Sequence, residues 1–306
     1  MAAGIRSRLI RLAFSTVLLV ALLGVTELGA RWIYHDALQP NPKVVRNRLR
    51  YRDRNFGPKR PNRYRIIIIG DSFTFGAGIE EHDRFSNVIQ TRLGAGYEVL
   101  NFGTAGHNLP HHLYTLDRAL EYKPDYLLLQ LYENDFETRT MHRPVAHTLR
   151  DDTERELQRS FVLYRLISTA SVRLQEALGL SEEYTHYMAS HLKDPNSPDA
   201  CEAFGMLTTF VTKAKAAHVP VGTVIFPALW VLKPGGRDYP FDYLHEHVRA
   251  ICQEQAIRCL DLFGEFARDE NPRHLWVNSF DAHPNAEANH RAAREILSTF
   301  SPVWKH

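Results

Sequence analysis

Residues 64–76 read Tyr-Arg-Ile-Ile-Ile-Ile-Gly-Asp-Ser-Phe-Thr-Phe-Gly, and the run Ile66 to Ile69 constrains the fold more than any other stretch. A short β-branched run without a polar member has no face to offer to water. It suits a strand covered on both sides, as in a parallel sheet. Gly70 lets the chain bend at the strand's end, and an acid and a hydroxyl, Asp71 and Ser72, follow at once. Open α/β sheets bind ligands beyond the carboxyl ends of their strands, so Ser72 falls where chemistry is done.

Strand and helix patterns alternate from residue 64 onward, which predicts a doubly wound parallel sheet. Helical spacing covers residues 84–93 through Phe85, Val88, Ile89 and Leu93, and further helices are predicted over 112–122, 203–217, 243–255 and 286–300. Strands are predicted over 97–102, 125–131, 219–226 and 257–262. With 306 residues, 44% of them apolar, the chain has material for one sizeable core plus excursions. One excursion, about residues 137–199, is too long for an ordinary connection. Within it, residues 153–178 read as one long or two shorter helices with Phe161, Tyr164, Ile167 and Leu174 on an apolar side. It would emerge at the Ser72 edge, as a lid, a substrate wall or a docking surface.

The amino terminus carries a membrane signal. A basic tail, residues 1–11, precedes Leu12 to Thr26, fifteen residues without a charge, extended to Ala30 if Glu27 lies near the boundary. A bilayer span needs about 20 apolar residues and a signal-peptide core fewer. Residues 12–30 therefore read as a transmembrane anchor or a signal, and Leu28-Gly29-Ala30, a poor cleavage site, favours the anchor. Arginines flank the segment on both sides, but large domains translocate largely regardless of such charges. The expectation is a membrane-anchored chain whose bulk is extracytoplasmic, periplasmic or extracellular. Residues 31–63 read as a basic linker in which Arg46, Arg48, Arg50, Arg52 and Arg54 alternate. They are either a solvated tether or a strip for anionic head groups or an acidic polymer. The formal net charge of +2 gives no reason to expect nucleic acid, and the sequence names no protein partner. Cys201, Cys252 and Cys259 match neither a disulfide framework nor a zinc spacing; one bridge is open if the domain is exported.

Three further strand ends carry polar clusters on the Ser72 edge: Asn101 to Asn108, Tyr132 to Asp135, and Asp281 to Asn285. A serine hydroxyl is a weak nucleophile until a base takes its proton, and His283, just ahead of the last helix, is the candidate base. Backbone N–H groups at Ser72 and Gly106, with the Asn134 amide, are the candidate donors to an oxyanion.

The blocks Gly70-Asp71-Ser72, Gly106, Asn134-Asp135 and Asp281-Ala-His283-Pro resemble, in order, the four signature blocks of the SGNH/GDSL hydrolase superfamily. The resemblance covers roughly residues 64–300. It implies a flavodoxin-like sheet of five parallel strands, Ser72 as nucleophile, His283 as base, and Gly106 and Asn134 as oxyanion ligands. Two departures stand out. Tyr132 replaces the glycine of the usual Gly-x-Asn-Asp, and Phe280 occupies the usual aspartate position, leaving Asp281, two residues before His283, or a backbone carbonyl to orient the ring. The α/β-hydrolase elbow Gly-x-Ser-x-Gly is absent, since Thr74 stands where its second glycine belongs.

His107, His111 and His112 suggest a metal, but Pro110 argues against the helix that would align the first two, and no carboxylate pattern completes a site. Neither metal nor cofactor is called for. Phe73, Tyr132 and Trp230 are candidates for the wall of an acyl or sugar pocket, with core packing as their other use. The resulting expectation is a serine esterase or deacylase acting on O-acyl esters, with envelope or exopolysaccharide carbohydrate preferred. Acyl transfer to a sugar hydroxyl and a non-catalytic carbohydrate-binding component are the alternatives.

Overall fold

The computed structural model describes residues 2–38, 42–138, 141 and 152–304. The chain forms two compact units: Met1–Pro40 with Pro144–Glu182, and Asn41–Arg143 with Glu183–His306. The larger is built on β1 (Tyr64–Gly70), whose four isoleucines are fully buried. β1 pairs in parallel with β2 (Tyr97–Gly103) on one side and β3 (Tyr126–Leu131) on the other. β4 (Val221–Ile225) and β5 (Arg258–Asp261) extend the sheet to the order β2-β1-β3-β4-β5. This is the flavodoxin-like order, whose topological switch lies between the strand ends of β1 and β3.

Helices cover the sheet because its apolar strands have no other way to leave water. α3 (Phe85–Leu93) packs on α11 (Ala286–Phe300), while α4 (Leu109–Leu120), α8 (Pro198–Ala216) and α9 (Asp242–Glu254) form a second helical layer. The first turn beyond β1, α2 (Ser72–Phe75), lies directly on Gly103. A Cβ there would sit 2.4 Å from the Phe75 nitrogen, so only glycine lets the turn approach β2. Pro110 falls in the first turn of α4, where a missing N–H costs nothing, so the proline starts this helix and does not forbid it. Elements with weak sequence signals also appear: α7 (Tyr184–Leu192), α10 (Phe263–Ala267) and a hairpin of β6 (Trp276–Asn278) with β7 (Asp281–Pro284).

The tether expected over residues 31–63 is in large part a packed segment of the larger unit. Asn47, Tyr51, Arg52 and Asp53 are buried, and Arg52 is 1% exposed. Its guanidinium donates to the carbonyls of Gly76, Ile79 (2.7 Å) and Phe75 (3.5 Å), just beyond α2. The alternation of arginines breaks because Arg50 turns the chain at φ 72°; Arg46, Arg48, Arg50 and Arg54 remain exposed. The excursion is likewise shorter than its sequence limits, for residues from Glu183 onward return to the larger unit.

The smaller unit holds α1 (Ala2–Ile33), α5 (Asp152–Ser160) and α6 (Val162–Ala177). Residues Ile10–Ile33 are long and apolar enough to cross a membrane, with mean hydropathy 2.0 and none of that window buried. Glu27, the one acid in α1, accepts from Arg31 (2.7 Å) and from the backbone N–H groups of Val162 and Leu163 (3.1 and 2.8 Å) at the start of α6. A carboxylate there satisfies orphan donors of the helix start. The extended backbone of Phe161 (φ −132°, ψ 122°) separates α5 from α6, so the sequence pattern resolves into two helices. Ile167 and Leu174, on the predicted apolar side, are exposed.

Candidate active site

Ser72 opens α2 and is held from both neighbouring strands. Asp71 caps the turn, its Oδ1 accepting the Phe73 N–H at 2.9 Å. From β3, Gln130 Oε1 accepts the backbone N–H groups of Asp71 and Thr74 (3.2 Å each) and the Thr74 hydroxyl (2.7 Å). From β2, the Asn101 amide donates to the Thr74 carbonyl (2.6 Å) and the Ser86 hydroxyl (2.8 Å), while its oxygen accepts the Gly103 N–H (2.9 Å). Gln130 interrupts an otherwise apolar strand, and that single polar residue was the available sequence signal for this support.

His283 lies on β7 with Nε2 3.0 Å from Ser72 Oγ. Its Nδ1 is 2.5 Å from Asp281 Oδ1, which also accepts the His283 backbone N–H at 3.1 Å. Residues two apart on a strand share a face, so the shortened spacing brings Asp281 alongside the ring. Carboxylate on one ring nitrogen and hydroxyl on the other leave Nε2 free to accept a proton. Burial by itself would lower the His283 pKa, but the Asp281 hydrogen bond and charge, with Asp71 beyond, raise it above its usual value.

Gly106 (φ 80°) and Asn134 lie beyond the ends of β2 and β3, on either side of β1 and Ser72. Asn134 belongs to a short 3-10 turn, Glu133–Phe136. Glu133 is buried and accepts the Trp230 indole N–H at 3.0 Å. Burial pushes its carboxyl up to about 8, which favours the neutral acid at ordinary pH. Burial and the nearby Asp135 also raise Asp71, to about 6. Sequence reasoning missed Glu133 as a functional neighbour because nothing local says that a Glu in a polar loop faces inward.

Of the three wall candidates, Phe73 is only 2% exposed and packs between Tyr132 (ring centroids 4.2 Å apart), Phe226 (5.5 Å) and His283 (5.6 Å). Its ring therefore sits in the core beside the imidazole, the packing use that its sequence position also allows. Tyr132 is half-buried beside it. Trp230 lines a cleft of about 500 Å³ with Glu183, Thr185, Lys233, Asp238 and Arg273. His107 and His111 stack with ring centroids 4.6 Å apart, and burial lowers His107 to about 4. Among the described residues no group of three or more His, Cys, Asp or Glu side chains is placed to hold a metal ion.

A flavodoxin-like sheet carrying hydroxyl, imidazole and carboxylate in a line above its switch point belongs to the class of serine-type hydrolases. Residues 68–291 match the model of the GDSL-like lipase/acylhydrolase family, and the chain belongs to that family; it is an ester hydrolase. None of the curated proteins matches it. Among solved structures it is similar to TesA, at 15% identity over 78% of this chain and 99% of that one, with a TM-score of 0.49. It is similar also to a carbohydrate acetylesterase from Sinorhizobium meliloti (13%, 79% and 100%, TM-score 0.46). A catalytic mutant of an acetylxylan esterase from Geobacillus stearothermophilus is a further likeness (14%, 79% and 96%, TM-score 0.47).

Proposed function

We propose that this hydrolase removes short O-acyl groups from carbohydrate through an acyl-enzyme on Ser72. His283 Nε2 takes the Ser72 proton as Oγ attacks the ester carbonyl, and Asp281 holds the imidazolium that forms. The oxyanion meets the Ser72 and Gly106 N–H groups and the Asn134 amide, each such donor being worth about 3 kcal/mol. Collapse expels the sugar alcohol, protonated by His283. Water, deprotonated by the same imidazole, then releases the carboxylate. The observation that carries the reading is the alignment of Ser72, His283 and Asp281 at 3.0 and 2.5 Å.

A short acyl group is supported by Tyr132, a bulky ring packed on Phe73 at the position where the usual block has glycine. A sugar is supported by the Trp230 cleft, which offers an aromatic face among charged and hydroxyl groups. The apolar helix Ile10–Ile33, as a membrane anchor or a signal, supports action outside the cytoplasm. The test incubates the purified chain with an aryl acetate and a fluorophosphonate. Turnover abolished by Ser72→Ala, with the label on Ser72, supports the mechanism; undiminished turnover in that variant sinks it. Adding an oligosaccharide separates hydrolysis from acyl transfer by the product that accumulates.

A further inference from the structure

The amino-terminal turns of α4 grip the turn that carries Asn134 at both ends. The Asn108 amide donates to the Glu137 carbonyl at 3.0 Å. One helical turn on, His112, fully buried, sets Nε2 2.7 Å from Asp135 Oδ1, itself fully buried. The other Asp135 oxygen accepts the Tyr132 backbone N–H at 2.7 Å, closing a ring across residues 132–135 with Asn134 inside it. His112 Nδ1 is buried with no hydrogen-bond partner. A bare lone pair is tolerable there, whereas an unsatisfied N–H costs about 1–3 kcal/mol, so the proton belongs on Nε2 and points at Asp135. Burial, which lowers His112 to about 4, agrees with a neutral ring. Asn108 and His112 lie two and six residues beyond Gly106, so one helix start is tied to the loops of both expected oxyanion donors.

We infer that the His112–Asp135 pair is a positioning element for catalysis: it fixes the Asn134 turn on the start of α4 so that the Asn134 amide stands above Ser72. This rests on the reading that Asn134 binds the oxyanion. Neither residue touches the reacting atoms, and the pair acts through Asn134 alone. A buried ion pair or hydrogen bond is poor evidence for added stability but an effective way to select one geometry.

The experiment is a mutant cycle on the full chain with an aryl acetate, using Asn134→Ala, His112→Gln, His112→Asn and the double variant Asn134→Ala/His112→Asn. Glutamine carries an amide donor about as far as the histidine Nε2, and asparagine stops short. Removing one oxyanion donor lowers kcat by about 10²–10³, so Asn134→Ala sets the ceiling. His112→Asn should lower kcat at least ~10-fold with KM within about twofold, and His112→Gln should stay within about threefold of wild type. The double variant should be no slower than Asn134→Ala, because the lost register has nothing left to position. Losses that multiply in the double variant, or equal losses in His112→Gln and His112→Asn, overturn the inference. If His112→Asn does not fold, Asp135→Asn, which keeps the volume, takes its place in the same cycle. An Asn134→Ala variant with undiminished kcat would instead sink the oxyanion reading.

Discussion

Glu133→Gln isolates one buried proton beside the reaction centre. An unfolded glutamate titrates near 4.5, while in the fold Glu133 keeps its proton to about 8. The folded state therefore holds a proton that the unfolded state has released throughout that window, and stability falls as pH rises through it. Integrating between about pH 5 and pH 8 gives a loss of about 3–4 kcal/mol assigned to this group. Glutamine mimics the neutral acid, keeps an oxygen for the Trp230 indole and removes the titration. Urea unfolding of both proteins, followed by tryptophan fluorescence across that pH range, reads the effect as a difference in which all other titrating groups cancel. The variant should match or slightly trail the wild type at the acidic end and exceed it by about 3 kcal/mol at the alkaline end. A difference that stays constant with pH would mean that water reaches Glu133 and that its carboxylate is charged beside Asn134. The point bears on catalysis, because an ionised Glu133 would oppose the negative charge developing on the substrate oxygen.

Three further outcomes follow from the same geometry. Asp281→Asn should lower kcat by about 10²–10⁴. The rise of kcat/KM with pH, which tracks deprotonation of His283, should also move to lower pH, since Asp281 holds that pKa up; a limb that does not move refutes the assignment. Tyr132→Gly should raise the turnover of butyrate over acetate aryl esters by ~10-fold or more, and an unchanged ratio would show that Tyr132 does not bound the acyl side. Arg52→Met leaves the Gly76 and Ile79 carbonyls without their donor and should destabilise the larger unit by about 2–4 kcal/mol in urea. An unaffected midpoint would return residues 42–63 to the role of a tether.

The ease with which parts of this chain could be read follows from how local their causes are. β1 is legible because four β-branched residues in a row exclude a solvent face, and α11 spans Ala286–Phe300 as its periodicity predicts. Pro110 reads as a breaker in the sequence yet starts α4, because position within the first turn decides its effect. Arg52 looked like one more exposed charge in a basic row. Only the carbonyls beyond α2, brought over it by the fold, make it a buried donor.

The chain's own order of residues determined the alternation of strands and helices, the turn that sets Ser72 just beyond β1, and the two-residue spacing that lays Asp281 beside His283. Each depends on backbone conformation over a few residues, which local side chains control. Tertiary structure alone decided that burial raises the Glu133 pKa, that Phe73 packs against the His283 ring, and that His112 meets Asp135. Those properties depend on which distant segments exclude water from a side chain, and burial of that kind is set when the sheet closes, not along the chain.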